Sequence, residues 1–121
     1  MKSEQEWEQT LFNLILHAGN ARSKAKEAAE LAGEGQWDGA EAAFKEANDE
    51  QLKAHQVNAE IIRMEAGGES VPFSVLLMHS MDLLLLAWSE LDYTEQYIKM
   101  CQRVKALEME VAQWRSQASK S

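Results

Sequence analysis

The chain contains one cysteine, one proline, few basic residues and no long apolar run, and each shortage removes a class of protein. Cys101 alone can neither close an internal disulfide nor build a Cys-rich metal centre; among Met100, Gln102 and Arg103 it reads as a packed thiol. The longest unbroken apolar run, Leu83 to Trp88, falls far short of the ~20 residues a helix needs to cross a bilayer. The opening MKSEQEWEQT lacks the apolar core of a secretory signal, so the expected location is the cytoplasm. Lys and Arg number 12 against 20 Asp and Glu, a net charge of −8. That balance argues against a face for nucleic-acid phosphates or anionic lipid and for protein partners.

With 121 residues, 45% of them hydrophobic, the chain is expected to fold as one domain over 1–121. Glycine clusters in GEGQ at 33–36 and GGES at 67–70, which divides the sequence into three long segments. In the first, Trp7, Leu11, Leu14, Ala18, Ala21, Ala25, Ala28 and Ala32 recur at steps of four and three, predicting a bundle helix over about 3–32. Gly19 interrupts it and predicts a close backbone approach or a bend. The second, about 37–66, repeats the spacing through Trp37, Ala40, Phe44, Ala47, Gln51, Ala54, Asn58 and Ile61, a thinner stripe. The third is expected over about 72–107, with Pro72 in its first turn, a polar tail frayed near 117–121, and Phe73, Leu76, Leu77, Leu84, Trp88, Leu91, Ile98 and Val104 as its apolar positions. No segment alternates with the period of a strand. An all-α, antiparallel three-helix bundle with up-down-up topology follows from the short links.

The third segment carries more apolar surface than one bundle contact can use. Leu83, Leu84, Leu85 and Leu86 point in four directions about 100° apart. Steps of three and four through Val75, His79, Asp82, Leu86, Ser89, Tyr93, Gln96 and Met100 trace a second seam, distinct from Leu77, Leu84, Leu91 and Ile98. Two seams predict self-association, and polar residues inside one fix register and oligomer number. Should Asp82 from several copies meet on an axis, ionised carboxylates ~4 Å apart would repel by about 4 kcal/mol at an effective dielectric near 20. A shared proton or a hard divalent cation such as Mg²⁺ or Ca²⁺ relieves that repulsion.

His79 has two readings from chemistry alone: a nucleophile that takes up a phosphoryl or acyl group, or a core histidine held by one hydrogen bond. Asp82, at the i+3 position, orients the imidazole or is an incidental neighbour. His17, with Asn20, Arg22 and Ser23, is read as part of a solvated helix face, with anion contact the second option. His55, beside Gln51 and Asn58, is expected to be buried and hydrogen-bonded. The competing function classes are a non-catalytic helical oligomeric adaptor with a structural His79, and a metal-binding helical protein.

Four stretches then become familiar together. LHAGNARSKAKEA at 16–28, GEGQWDGAEAAF at 33–44, AHQVNAEII at 54–62 and SVLLMHSMD at 74–82 resemble the lactose/cellobiose-type enzyme IIA of the bacterial sugar phosphotransferase system, in order and spacing from about residue 7 to about 105. The resemblance implies a cytoplasmic phosphotransferase component, a phosphohistidine carrier serving transport of a lactose-, cellobiose- or chitobiose-like sugar. It implies a donor, the histidine-containing phosphocarrier protein, and an acceptor, a cysteine of enzyme IIB. It further implies a homotrimer of three-helix subunits. His79 matches the phosphorylated histidine, and Asp82 matches the aspartate that meets its symmetry mates around a divalent cation, with Mg²⁺ the expected ion. The family's usual His-Ala-Gln-Asp-His-Leu-Met is changed here, with Met81 in place of the glutamine and Leu83 in place of the second histidine, while Asn58 and Ala59 alter the end of the AHxxQT pattern. The polar shell expected around a phosphoryl group is correspondingly thinner, and the alternative to a carrier is a divergent regulatory relative in which His79 is structural.

Overall fold

Ser3 starts the first helix: its hydroxyl accepts the Glu6 N–H at 3.2 Å, and Glu4 and Glu6 place negative charge at the positive end of the helix dipole. The computed structural model describes residues 2–120. Helix α1 spans Glu4–Gly33, α2 Trp37–Ala66 and α3 Val75–Lys120, and no strand occurs among the described residues. Between α1 and α2 the chain reverses at Gly35, whose φ of 78° lies in the left-handed region that glycine enters without strain. Gly68, at φ 91°, does the same after α2.

The third helix departs from its expected bounds at both ends. Pro72 lies in the non-helical approach, and the cap is Ser74, whose hydroxyl accepts the Leu77 N–H at 3.0 Å; the helix therefore starts at Val75 and not at 72. At the other end it continues to Lys120, well past 107, because the residues from Lys105 on are mostly good helix formers and no glycine or proline stops them. The expected fraying from 117 is therefore not seen through Lys120, and Ser121 lies outside the described residues.

Helix α1 is the centre of the bundle. It packs along both neighbours, whereas α2 and α3 touch each other little. Cross-helix pairs give the directions. His17 meets Glu50 and Lys24 meets Glu46, so α2 runs antiparallel to α1; Trp7, Leu11 and Leu14 cluster with Leu84 and Ala87, while Ala21 and Ala25 cluster with Leu91 and Arg22 meets Glu90, so α3 runs parallel to it. The up-down-up arrangement follows.

All eight stripe residues of α1 are buried. At one end Trp7, Leu11 and Leu14 pack with Ala54, Ile61, Leu84 and Ala87. Further along the core narrows to Ala21, Ala25, Ala47 and Leu91, with Phe44 alongside. Burying a leucine contributes about 1.5–3 kcal/mol and an alanine far less, so the stabilisation is concentrated at the Trp7 end, while the alanine end allows close helix approach. Trp88 and Val104, expected on the apolar side of helix three, are exposed, because α3 has essentially one helix to pack on, and Phe73, expected with them, is exposed in the non-helical approach before it.

Gly19 is neither a close approach nor a contact: a Cβ built there meets nothing within 4 Å. Gly19→Ala is accordingly expected to raise stability by roughly 0.5–1 kcal/mol through helix propensity. Ala21→Leu, two residues on in the fully buried seam, is expected to lower it by about 1–3 kcal/mol through overpacking. Urea-unfolding midpoints measure both, and a destabilised Gly19→Ala would show that the glycine serves the fold.

Candidate functional site

His79 lies in the second turn of α3, and Asp82 follows one turn later on the same side. Both are exposed. Neither side chain hydrogen-bonds or ion-pairs with any described residue of its own protomer. A core histidine held by one hydrogen bond is therefore not what the fold builds at 79. The buried position is its neighbour Ser80, whose hydroxyl donates to the Leu77 carbonyl at 2.8 Å and so adds no unpaired polar group to the core.

The second seam of α3 is exposed along its whole length, at Val75, His79, Asp82, Leu86, Ser89, Tyr93, Gln96 and Met100, with Tyr93 and Met100 bordering α1 at the flank. On this part of α3 the exposed apolar residues are Val75, Met78, Leu85 and Leu86. Leu76, Leu77, Met81 and Leu83 are turned partly inward against the Trp7 end of the core. Leu83 is thus a packing residue, and the exposed apolar residue on the side of His79 is Leu86, two turns further along α3.

The other two histidines are elsewhere. His17 is half-buried, and its Nδ1 lies 2.6 Å from Glu50 Oε2 across the α1–α2 interface. It is an interhelix pair and not a solvated face. The hydrogen bond from His17 holds the Glu50 carboxyl below the usual carboxylate range; burial opposes this, and Lys53 and Asn20 add to it. Arg22 is likewise taken by a carboxylate, at 2.9 Å from Glu90, and the hydrogen bond and charge of Glu90 raise its pKa. His55 is exposed and not buried: its ring meets the edge of Trp88 at 5.6 Å with the planes 75° apart. Trp88 stands nine residues after His79, roughly 13 Å along α3 and on its opposite side. The fold therefore keeps the three histidines apart. Only His79 is both unpaired and on the open seam.

An exposed imidazole with neither nitrogen engaged in its protomer can attack an electrophile brought by another molecule. Comparison with known proteins identifies the setting. Residues 9–102 match the family described as "PTS system, Lactose/Cellobiose specific IIA subunit". The chain belongs to this family. It is 36% identical over 100 residues to the lichenan-specific phosphotransferase enzyme IIA component of Bacillus subtilis, covering 83% of this chain and 91% of that protein. It is 30% identical to the lactose-specific EIIA component of Lacticaseibacillus casei, covering 89% and 96%. The crystal structure of the cellobiose-specific enzyme IIA from Bacillus anthracis superposes with a TM-score of 0.81 at 36% identity, covering 88% of this chain and 95% of that one. As a lactose/cellobiose-type IIA component the chain is a phosphoryl carrier in sugar uptake. None of its described helices is long and apolar enough to cross a membrane.

In this IIA chain the family match takes in most of α1, all of α2 and α3 as far as Gln102. Cys101, half-buried beside the α1–α2 turn, sits next to Tyr97, and the hydrogen bond between them raises the Tyr97 pKa. Among the described residues of one protomer, no group of three His, Cys, Asp or Glu is placed to hold a metal.

The His17–Glu50 pair carries a pH signature. Because the folded-state carboxyl titrates below its unfolded value, its contribution is present above the unfolded pKa and lost as pH falls through the folded one. Glu50→Gln is expected to unfold at lower urea than the parent at pH 7, and the gap is expected to close as pH drops below the usual carboxylate pKa of 4.5. Paired urea titrations across that range measure it; a gap independent of pH would mean that the carboxylate charge is not what the pair uses.

Proposed function

We propose that His79 is the residue that carries the phosphoryl group, accepting it from the histidine-containing phosphocarrier protein and passing it to a cysteine of enzyme IIB. The observation that supports this reading most directly is the exposure of His79 without an intramolecular partner, on the part of α3 that falls inside the family match. In the loading step an imidazole nitrogen lone pair attacks phosphorus, the donor's P–N bond breaks, and the donor imidazole leaves with the electron pair. In the unloading step a thiolate attacks the same phosphorus and the bond to His79 breaks. Transfer of this kind asks mainly for positioning and charge stabilisation. The exposed Leu86, on the side of His79, offers an apolar border for a transient partner contact. Cargo of the β-glycoside class, a disaccharide such as lactose or cellobiose, is in keeping with the names of the relatives.

The same reading makes the particle a homotrimer assembled through the open seam of α3. Asp82 then faces its counterparts across the axis. It suits an oxygen-seeking cation: the carboxylate is exposed and unpaired in its protomer, and one protomer provides no metal cluster of its own among the described residues. Three Asp82 side chains would hold the ion, Mg²⁺ being the expected one, and when bound it supplies charge neutralisation at the axis. His79 and the partner proteins carry out the transfer.

Incubation with phosphoenolpyruvate, enzyme I and the phosphocarrier protein is expected to place one acid-labile phosphate on each chain. His79→Ala is expected to take none, while His17→Ala and His55→Ala retain it. Label on His79→Ala at the parental level would end the assignment. Asp82→Ala is expected to sediment as a smaller particle than the parent, and a parental sedimentation coefficient would remove the axial role.

A further inference from the structure

A cavity of about 450 Å³ opens where the start of α1, the end of α2 and the approach to α3 come together. Its size falls toward the lower end of the ~300–1,000 Å³ typical of small-molecule sites. Trp7, Met64 and Leu76 contribute its more buried wall, and Phe73, 79% exposed, stands at its mouth. Trp7 is only 7% exposed, yet its indole Nε1 has no hydrogen-bond partner among the described residues. An indole N–H can only donate, and a buried one normally finds an acceptor. The wall of the cavity therefore calls for an oxygen.

The rim has the opposite character. Glu4, Glu8 and Glu69 line it, and none of them is ion-paired among the described residues. Its one basic group, the Lys2 ammonium, donates to Thr10 Oγ1 at 2.7 Å. Carboxylates of this kind accept hydrogen bonds and give none.

We infer that this cavity binds a neutral saccharide of one or two rings. Charge and hydrogen-bonding capacity select that class. An anion satisfies the indole N–H but enters against three carboxylates and a single lysine, and is repelled. A cation satisfies the carboxylates and offers no acceptor to Trp7. A purely apolar ligand serves neither group. A sugar answers both: its oxygens accept from the indole, its hydroxyls donate to the carboxylates, and the C–H faces of its rings pack on Trp7 and Phe73. Leu76 precedes His79 by three residues, less than one turn of α3. A bound sugar thus stands beside the surface on which a phosphoryl donor lands. That consequence rests on the role proposed for His79, whereas the binding itself does not.

Calorimetric titration of the full-length chain tests the site, with cellobiose, the phosphate monoester of cellobiose and tetramethylammonium chloride as probes. Cellobiose is expected to bind saturably, and the other two at least tenfold more weakly. Phe73→Ala, at an exposed position, is expected to weaken cellobiose at least tenfold. Trp7→Phe, which keeps a ring and removes the N–H, is expected to weaken it at least threefold; should that chain lose its helical circular-dichroism signal, Phe73→Ala decides. His79→Ala is expected to bind cellobiose as the parent does, so failure of the carrier assignment leaves this result untouched. Absence of saturable cellobiose binding would overturn the inference. So would equal or tighter binding of the phosphate or of tetramethylammonium, or a cellobiose affinity that folded Phe73→Ala or folded Trp7→Phe leaves unchanged.

Discussion

The alanine seam between α1 and α2 is the constraint on which this molecule depends. Ala18, Ala21, Ala25, Ala28 and Ala32 of α1 and Ala40, Ala43, Ala47 and Ala54 of α2 are all buried, so the two rods close with small side chains and leave no wide groove for α3. The third helix consequently lies on α1 and makes little use of α2. It buries Ser80, Leu84, Ala87 and Leu91 and leaves the rest of its circumference uncovered. The leucines that do not fit that narrow contact, Leu85 and Leu86 among them, are available for association with other molecules. A fuller three-sided core would have turned this surface inward and taken the histidine with it.

The site follows from the same economy of contact. Three titratable side chains of α1 are paired across the helix interfaces: His17 with Glu50, Arg22 with Glu90, Lys24 with Glu46. Such pairs hold the rods in register at modest individual value, since they are partly solvated. His79 and Asp82 are excluded from this scheme by lying on the side of α3 that meets no other helix. Their lack of partners within the protomer is what suits them to a group delivered by one protein and removed by another. An imidazole already committed to a carboxylate, as at His17, would have to break that bond first.

Much of the fold is legible in the sequence, because the α1 stripe recurs without error from Trp7 to Ala32 and two glycine clusters mark the ends of the first two helices. The start of α3 is misread since Pro72 suits a first turn in principle, whereas Ser74 supplies the cap in fact. Its end is misread since a helix leaving a bundle has no packing partner to mark where it should stop. For the site, His79 and Asp82 are recognisable from the pattern around them and from the second seam. The partners of His17 and His55 are not, because they depend on how two rods slide past one another over 33 residues of chain separation. That offset is decided by the seam as a whole and by no local motif.

Helix α3 is a single uninterrupted rod of 46 residues, with His79 near one end and the last described residue at the other. At the helical rise the two lie roughly 60 Å apart, farther than a small docking protein reaches. Whatever is joined to the far end, whether a fluorophore, a surface linker or a second enzyme, stands clear of the chemistry while remaining rigidly connected to it. The molecule is in that sense a handle as well as a carrier.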